Sequence, residues 1–431
     1  MQFNTRVSSA TYHSEMRFWT IETETGERAA ARFLLQATGV LSEPYTPDFK
    51  NVGKFKGPTR HTSDWPREPV DLSNKRVGVI GTGATAVQMI TEIAKDIGEL
   101  TVFQRTPNYC KPLHNSAITQ EEQVEIRQNY DEIFKRCENT FGGFFHGSDE
   151  RSAFDVNDEE RENIYEGLWG DKGFAFWLGG FHDIFTDEKA NETTGKFVRK
   201  KIRERVNDPK VADLLAPTDH LFGTKRQPME SGYYKAYNRP NVHLVDLKTC
   251  PIESFTASGI KTKDQEYEFD IVIFATGFDA VTGALNRIRI EGEGGKLLKD
   301  KWDEMPAAYL GMMSAGFPNM FISSGPHNQA SFCNIPRCLE HNVEWITECM
   351  RYMNEHGYSR IDAMQDAEDA RTEHVLESAD GLLLTKTNNW FMGSNIPGKK
   401  RVFLNYVGGV PYYRKKCASV AAKDYTGFAL D

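Results

Sequence analysis

A short apolar strand that runs into two closely spaced glycines and then a helix leaves a chain few folds to choose from. Lys75-Arg76-Val77-Gly78-Val79-Ile80 reads as a buried strand, and Gly81-Thr82-Gly83-Ala84-Thr85-Ala86 follows it. Val87, Ile90, Ile93 and Ala94 then recur at helical spacing from about Ala84 to Lys95, and Leu100–Gln104 reads as a second strand. Strand, G-x-G-x-x-A loop, helix and strand in that order specify a βαβ unit of a parallel sheet with a dinucleotide site at the helix start. Gly81 permits the tight turn, Gly83 admits a pyrophosphate, and Ala86 lets helix and strand pack closely. Thr82, Ala84, Thr85 and Gln88 complete the candidate set around the loop.

The end of the second strand selects the nucleotide. An acidic residue there would hold the ribose hydroxyls of NAD, but this chain has Arg105-Thr106. An arginine fork suits the 2′-phosphate of NADPH; the plainer reading is a solvated surface arginine. At 431 residues the chain is long enough for two or three domains. A net charge of −9 argues against a nucleic-acid partner. No apolar run approaches the roughly 18 residues that span a bilayer, and the first residues are too polar for a signal peptide. The seven cysteines are scattered without a C-x-x-C, which predicts reduced thiols in a cytoplasmic protein and no metal site.

Residues Val7–Tyr12, Met16–Thr23 and Ala29–Leu35 read as a small antiparallel meander, the last run ending in Ala37-Thr38-Gly39. From Thr119 to about Asp219 the composition turns charged and aromatic, with helical patterns over Glu121–Cys137 and Lys196–Arg205. Phe141, Phe144, Phe145, Trp169, Phe174, Phe176, Trp177 and Phe181 either line an apolar cavity or, for most of them, fill helix contacts. Strands follow at Val242–Val245 and Ile271–Phe274, with a hairpin near Ser258-Gly259 and a second A-T-G turn at Ala275-Thr276-Gly277.

Just ahead of the glycine loop, Phe55, Gly57, His61, Trp65 and Pro66 spell F-x-G-x-x-x-H-x-x-x-W-P. That string and the loop after it resemble the fingerprint of the Baeyer–Villiger monooxygenases, a resemblance that runs along nearly the whole chain. The resemblance implies an α/β fold of the two-dinucleotide-binding-domain flavoprotein type with a helical insertion. It implies residues 1–66 as the remainder of an FAD domain and linker, and 67–115 with 221–279 as an NADP domain. Residues 116–220 would be the insertion, and 280–431 the return to the FAD domain. The implied cofactors are FAD and NADPH, and the implied reaction inserts one oxygen of O2 beside the carbonyl of a small hydrophobic ketone, by way of a peroxyflavin, to give an ester or lactone.

Arg226, in Gly223-Thr224-Lys225-Arg226, matches the family's catalytic arginine, and Lys225 matches a residue that approaches the 2′-phosphate. A permanently charged donor that cannot protonate a peroxide suits this chemistry, and adjacent residues on an extended segment face opposite ways. A structural ion pair is the plainer reading of Arg226. Gly325 through Asn334 resembles the segment that passes the flavin ring, and Trp390 resembles a tryptophan near the nicotinamide ribose, against a default of core packing. His61 is expected to order the linker rather than transfer a proton, and Trp65-Pro66 to fix the crossing chain.

The family's first glycine loop, with its FAD-binding βαβ unit, is not found ahead of the meander. The expectation is therefore an N-terminally shortened chain that binds NADP(H) but holds FAD poorly. Two alternatives stand beside the ketone reading: an N- or S-oxidising flavin monooxygenase, and a non-catalytic NADP-binding remnant.

Overall fold

The computed structural model describes residues 2–329 and 333–431. Five parallel strands make its largest sheet: Thr59–His61 (β1), Arg76–Ile80 (β2), Glu99–Gln104 (β3), Val242–Asp246 (β4) and Ile271–Phe274 (β5). Their spatial order is β4-β3-β2-β5-β1. Val77, Val79 and Ile80 of β2 and all four residues of β5 are buried. Strands covered on both faces must be apolar throughout, which is why these two read as continuous runs rather than alternating ones.

Helix Ala84–Ile93 (α1) follows β2 and turns Ala86, Val87 and Ile90 into the same core as Val77 and Val79. Gly81 carries the chain from strand to helix at φ +114, and a Cβ there would stand 2.4 Å from the Ala275 carbonyl oxygen. Only glycine tolerates both the left-handed backbone and that close approach. The three-stranded antiparallel sheet of Ile252–Phe255, Gly259–Thr262 and Glu266–Glu268 follows β4 and packs Phe255 and Ile260 against Phe103 and Phe274.

Seven helices fill the connection from β3 to β4: Gln120–Gln128 (α2), Tyr130–Glu138 (α3), Asp158–Gly170 (α4), Ala175–Leu178 (α5), Glu188–Arg203 (α6), Pro209–Leu215 (α7) and Tyr233–Ala236 (α8). The run expected from Glu121 to Cys137 is broken at Asn129, whose side-chain amide donates back to the Glu125 carbonyl at 2.8 Å. Such local bonding competes with helix propagation. The later helix starts earlier than Lys196, because Asp187 caps it by accepting from the Ala190 amide at 2.8 Å. Trp169, Phe176, Trp177 and Phe181 are buried in a core shared with β2 and α6, as the plain packing reading has it. Phe141 and Phe145 are exposed.

The meander is formed by Val7–His13, Phe18–Thr23 and Arg28–Ala31, and Arg289–Glu291 adds to its first strand in parallel. The third run expected over Ala29–Leu35 divides. Leu34–Gln36 leaves the meander and pairs in parallel with Met320–Ile322. Both pairings bring the chain beyond residue 280 back onto its first forty residues. The expectation that all thiols are reduced is also corrected: Cys333 and Cys338 form a disulfide with Cα atoms 6.7 Å apart. Cys338 lies in the first turn of helix Ile335–Glu355, so the fold of that turn brings together two thiols whose spacing carried no motif. Cys110, Cys137, Cys250, Cys349 and Cys417 are free and buried. Among the described residues no helix is long and apolar enough to cross a membrane.

Gly81→Ala is expected to destabilise the protein by about 1–3 kcal/mol, since the new methyl must push against backbone. Urea unfolding followed by circular dichroism checks this; an unchanged midpoint would show that the β2–α1 turn relaxes freely.

Candidate active site

An open cleft and an aromatic wall meet at one short segment of chain. The first begins at the glycine loop. Thr82 is buried and donates from its hydroxyl to the Thr106 carbonyl at 2.7 Å, while the Asn108 side chain donates to the Thr82 carbonyl at 2.8 Å. These bonds tie the loop to the end of β3, where Arg105 and Thr106 stand. Gly83, Ala84, Thr85 and Gln88 face solvent, and Ala86 packs inward. Helices α2, α4, α6 and α7 are capped by the side chains of Thr119, Asn157, Asp187 and Asp208, whereas α1 starts at Gly83 with no side-chain cap. Its first amides therefore point at open space, and a Cβ on Gly83 would meet nothing within 4 Å. An uncapped helix start with room above it is a phosphate site in waiting.

Across from the loop runs Phe222–Arg226. Its position is set from two sides. Asn191 of α6 donates to the Phe222 carbonyl at 2.8 Å and accepts from the Phe222 amide at 2.9 Å. Asn389 donates to the Thr224 carbonyl at 2.9 Å. Between these ties Gly223 adopts φ +73, and a Cβ there would press to 2.5 Å from the Phe185 ring. Lys225 extends toward the glycine-loop side and donates to the Asn388 carbonyl at 2.6 Å. Burial lowers its pKa, Asp219 offsets this, and the charge of nearby Arg105 adds to it. Thr106, Asp219, His220, Lys225, Asn388 and Arg401 line the open cleft between them. Burial opposes ionisation of Asp219, but hydrogen bonds from His220 and Lys248 outweigh it and hold its pKa well down. The cleft is thus cationic, with one carboxylate already engaged.

Arg226 turns the other way. Its guanidinium lies over the Phe174 ring at 4.6 Å and the Trp177 ring at 5.1 Å. Among the described residues it makes no ion pair, so the ion-pair reading of Arg226 finds no partner. Burial lowers its pKa with no charged neighbour contributing, and an arginine so placed still remains charged at neutral pH.

The F-x-G-x-x-x-H-x-x-x-W-P stretch lies at the sheet edge. Phe55 is buried, and a Cβ on Gly57 would collide with the Phe55 ring at 2.5 Å and the Asp270 carbonyl at 2.8 Å. His61 ends β1 opposite Phe274 of β5, and its ring meets Phe278 edge-on at 5.7 Å. The Ser63 amide donates to His61 Nδ1 at 3.1 Å, which leaves the proton on the buried Nε2, on the side of the Gly277 and Tyr45 carbonyls. Burial lowers the His61 pKa, opposed by the carbonyls of Gly277 and Tyr45. Those two carbonyls belong to the stretches that cross between the sheets, where Tyr45 donates its amide to Gly277 at 2.8 Å. His61 therefore sits on the crossing, while Trp65 and Pro66 follow it at the surface, Trp65 being 38% exposed.

Trp390 packs on Phe391 at 4.0 Å and is half-buried beside Asn389. Asn334 precedes helix Ile335–Glu355, and its amide donates to Gly142 at 2.8 Å, so its described contacts are with the insertion and not with the glycine loop. Upstream of it, His327 and Gln329 are fully buried, and both amide atoms of the Gln329 side chain lack partners among the described residues. Buried polar atoms without partners are rare and mark a missing polar neighbour. Residues Ala330–Phe332 of this segment lie outside the described residues. Sequence reading missed Asn191, Asn388 and Asn389. An asparagine carries no signal of its own there.

A flavin-binding monooxygenase-like (FMO-like) family profile matches residues 1–110. The 2-oxo-Δ3-4,5,5-trimethylcyclopentenylacetyl-CoA monooxygenase of Pseudomonas putida is 43% identical over 438 residues, covering 100% of this chain and 80% of the relative. A Baeyer–Villiger monooxygenase of Pseudooceanicola batsensis is 41% identical over 432 residues, covering 100% of this chain and 78% of the relative. The phenazine N-monooxygenase of Lysobacter antibioticus is 39% identical, covering 100% and 79%. A crystal structure of OTEMO in complex with FAD and NADP superposes with a TM-score of 0.96 at 44% identity, covering 100% of this chain and 81% of that one. With relatives of 41–43% identity matched over the whole of its length, the chain belongs to the Baeyer–Villiger monooxygenases.

Proposed function

We propose that this chain inserts one oxygen of O2 next to the carbonyl of a hydrophobic ketone, using FAD and NADPH. The observation that carries the reading is Arg226: a half-buried guanidinium that makes no ion pair among the described residues, one residue from a lysine that faces the cationic cleft. When bound, NADPH supplies the hydride and FAD the centre that activates oxygen.

The chain's own groups fit both cofactors. The α1 amides at Gly83 and Ala84 would hold the NADP pyrophosphate, and Arg105 and Lys225 its 2′-phosphate. Thr106 and Gln88 would edge the same cleft, and Trp390 its nicotinamide end. The partnerless side-chain amide of Gln329, on the segment that reaches Asn334, suits the edge of a flavin ring. Arg226 would steady an anionic oxygen species and then the alkoxide-like oxygen of the ketone adduct. A guanidinium gives up no proton at neutral pH, so it stabilises the nucleophile without quenching it. His61 would order the crossing rather than move a proton, because its free nitrogen is buried against backbone carbonyls. The reading treats 67–115 and 221–279 as one nucleotide-binding unit interrupted by 116–220; the shared sheet of β2–β5 supports that division.

A second reading, oxidation of nitrogen or sulfur, is favoured by the phenazine N-monooxygenase relative alone. A panel of ketones, amines and thioethers separates the two.

In FAD-loaded enzyme, Arg226→Ala is expected to leave flavin reduction by NADPH intact and to lower product formation by about 100-fold or more. Stopped-flow reduction together with product analysis by gas chromatography checks it; full product formation would remove Arg226 from the role. Lys225→Ala and Arg105→Ala should each raise KM for NADPH by about tenfold or more while leaving NADH nearly unaffected, as the loss of a charge-assisted hydrogen bond implies. Equal effects on both nucleotides would refute the 2′-phosphate assignment.

A further inference from the structure

We propose that His220 is a specificity-determining residue of the coenzyme cleft, donating from Nε2 to the 2′-phosphate of NADPH while Asp219 holds its other nitrogen. The proposal rests on the assignment of that cleft to the coenzyme given above and adds a group that couples recognition to a proton.

His220 and Asp219 line the same open cleft as Thr106, Lys225 and Arg401. The imidazole is almost wholly covered, and its Nδ1 stands 2.6 Å from Asp219 Oδ1. Asp219 Oδ2 accepts from Lys248 Nζ at 2.5 Å. Burial opposes ionisation of this carboxyl, but the two hydrogen bonds outweigh it. An ionised carboxylate can only accept, so the hydrogen on the His220 side of the pair belongs to Nδ1. Neutral His220 therefore presents a lone pair at Nε2, and protonated His220 presents an N–H there. The ring is braced in this orientation. Tyr109 meets it edge-on at 5.3 Å, and the Tyr109 hydroxyl donates to the His220 carbonyl at 3.2 Å and accepts from Arg199 at 2.9 Å.

The charges around the imidazole decide when it carries a proton. Burial disfavours the cation, the bond to Asp219 favours it, and Lys225 and Lys248 oppose it; the balance holds His220 below the ordinary imidazole value of 6.5. Lys386 and Arg401 add positive charge across the cleft. A phosphate dianion reverses this balance, because it neutralises Lys225 and is repelled by a bare lone pair at Nε2. Its arrival favours the imidazolium. NADPH is then expected to bind with uptake of a proton. Its affinity is greatest below the pKa of the free protein and falls as pH rises from there to the higher pKa of the complex. NADH has no 2′-phosphate to meet Nε2 and should lack this dependence, so pH itself sets part of the preference between the two coenzymes.

The test is calorimetric titration of the FAD-loaded enzyme with NADP+ and with NAD+, in two buffers of different ionisation enthalpy, for the parent and for His220→Asn. Asparagine keeps an N–H for Asp219 but is too short to reach the phosphate as well. At about pH 6 to 7 the parent should take up more protons with NADP+ than the variant does. At about pH 6 the variant should bind NADP+ about tenfold more weakly, as the loss of a charge-assisted hydrogen bond implies, with NAD+ affinity close to the parent. Titration of the 2′-phosphate itself is common to both proteins and drops out of the comparison. A second readout is made on the unaltered enzyme with isotope-labelled histidine. The His220 nitrogens, identified by their absence from His220→Asn or His220→Gln, should move to the imidazolium range with NADP+ and stay neutral with NAD+. Equal proton uptake in parent and variant, equal loss of NADP+ and NAD+ affinity, or nitrogens that stay neutral with NADP+ would each overturn the role of His220. If Lys225→Ala and Arg105→Ala leave the preference for NADP+ over NAD+ unchanged, the fault lies with the assignment of the cleft, and the role of His220 falls with it.

Discussion

The functional geometry depends on how five residues, Phe222 to Arg226, are tethered. Two buried asparagines hold this segment's backbone from opposite sides, Asn191 from the insertion and Asn389 from the C-terminal part of the chain. Each such hydrogen bond contributes about 1 kcal/mol net, but leaving either amide buried without its partner would cost about 1–3 kcal/mol. The tethers therefore act more by excluding alternatives than by adding stability. With the backbone fixed and Gly223 bending it, Lys225 and Arg226 must diverge, one into the cationic cleft and the other onto the aromatic wall. One short segment thus joins the cationic cleft to the aromatic wall of the insertion.

The crossing at His61 depends on the same kind of backbone arrangement. The stretches around Tyr45 and Gly277 run alongside each other, joined by an amide-to-carbonyl bond, and the imidazole covers them. Its lowered pKa follows from that cover. A neutral ring with one nitrogen engaged by Ser63 and the other turned toward carbonyls is suited to bracing the two strands of chain.

Much of this was legible in the sequence, for reasons that are local. Gly81 is dictated by its backbone angle and by the Ala275 carbonyl pressed against it, and such a glycine announces itself. Strands β2 and β5 are covered on both faces and so are apolar without interruption. What was not legible depends on partners far along the chain. Nothing within Ala29–Leu35 tells that Leu34 will leave the meander to pair with Met320. Trp177 and Phe174 look alike as aromatic residues in a helical stretch, although one is core and both flank an arginine. Asn191 sits in a charged helix like a surface residue, and only the approach of Phe222 makes it structural. The Cys333–Cys338 pairing likewise needed the helix turn that closes the gap.

The bare start of helix α1 has a practical corollary. Since no side chain caps it, a dinucleotide bound there as proposed has nothing to evict, and its phosphates meet vacant donors at once. The same openness makes the site indiscriminate toward small tetrahedral anions. Inorganic phosphate or sulfate in a buffer would compete there, so apparent coenzyme affinity would fall with the choice of salt even though no residue had changed.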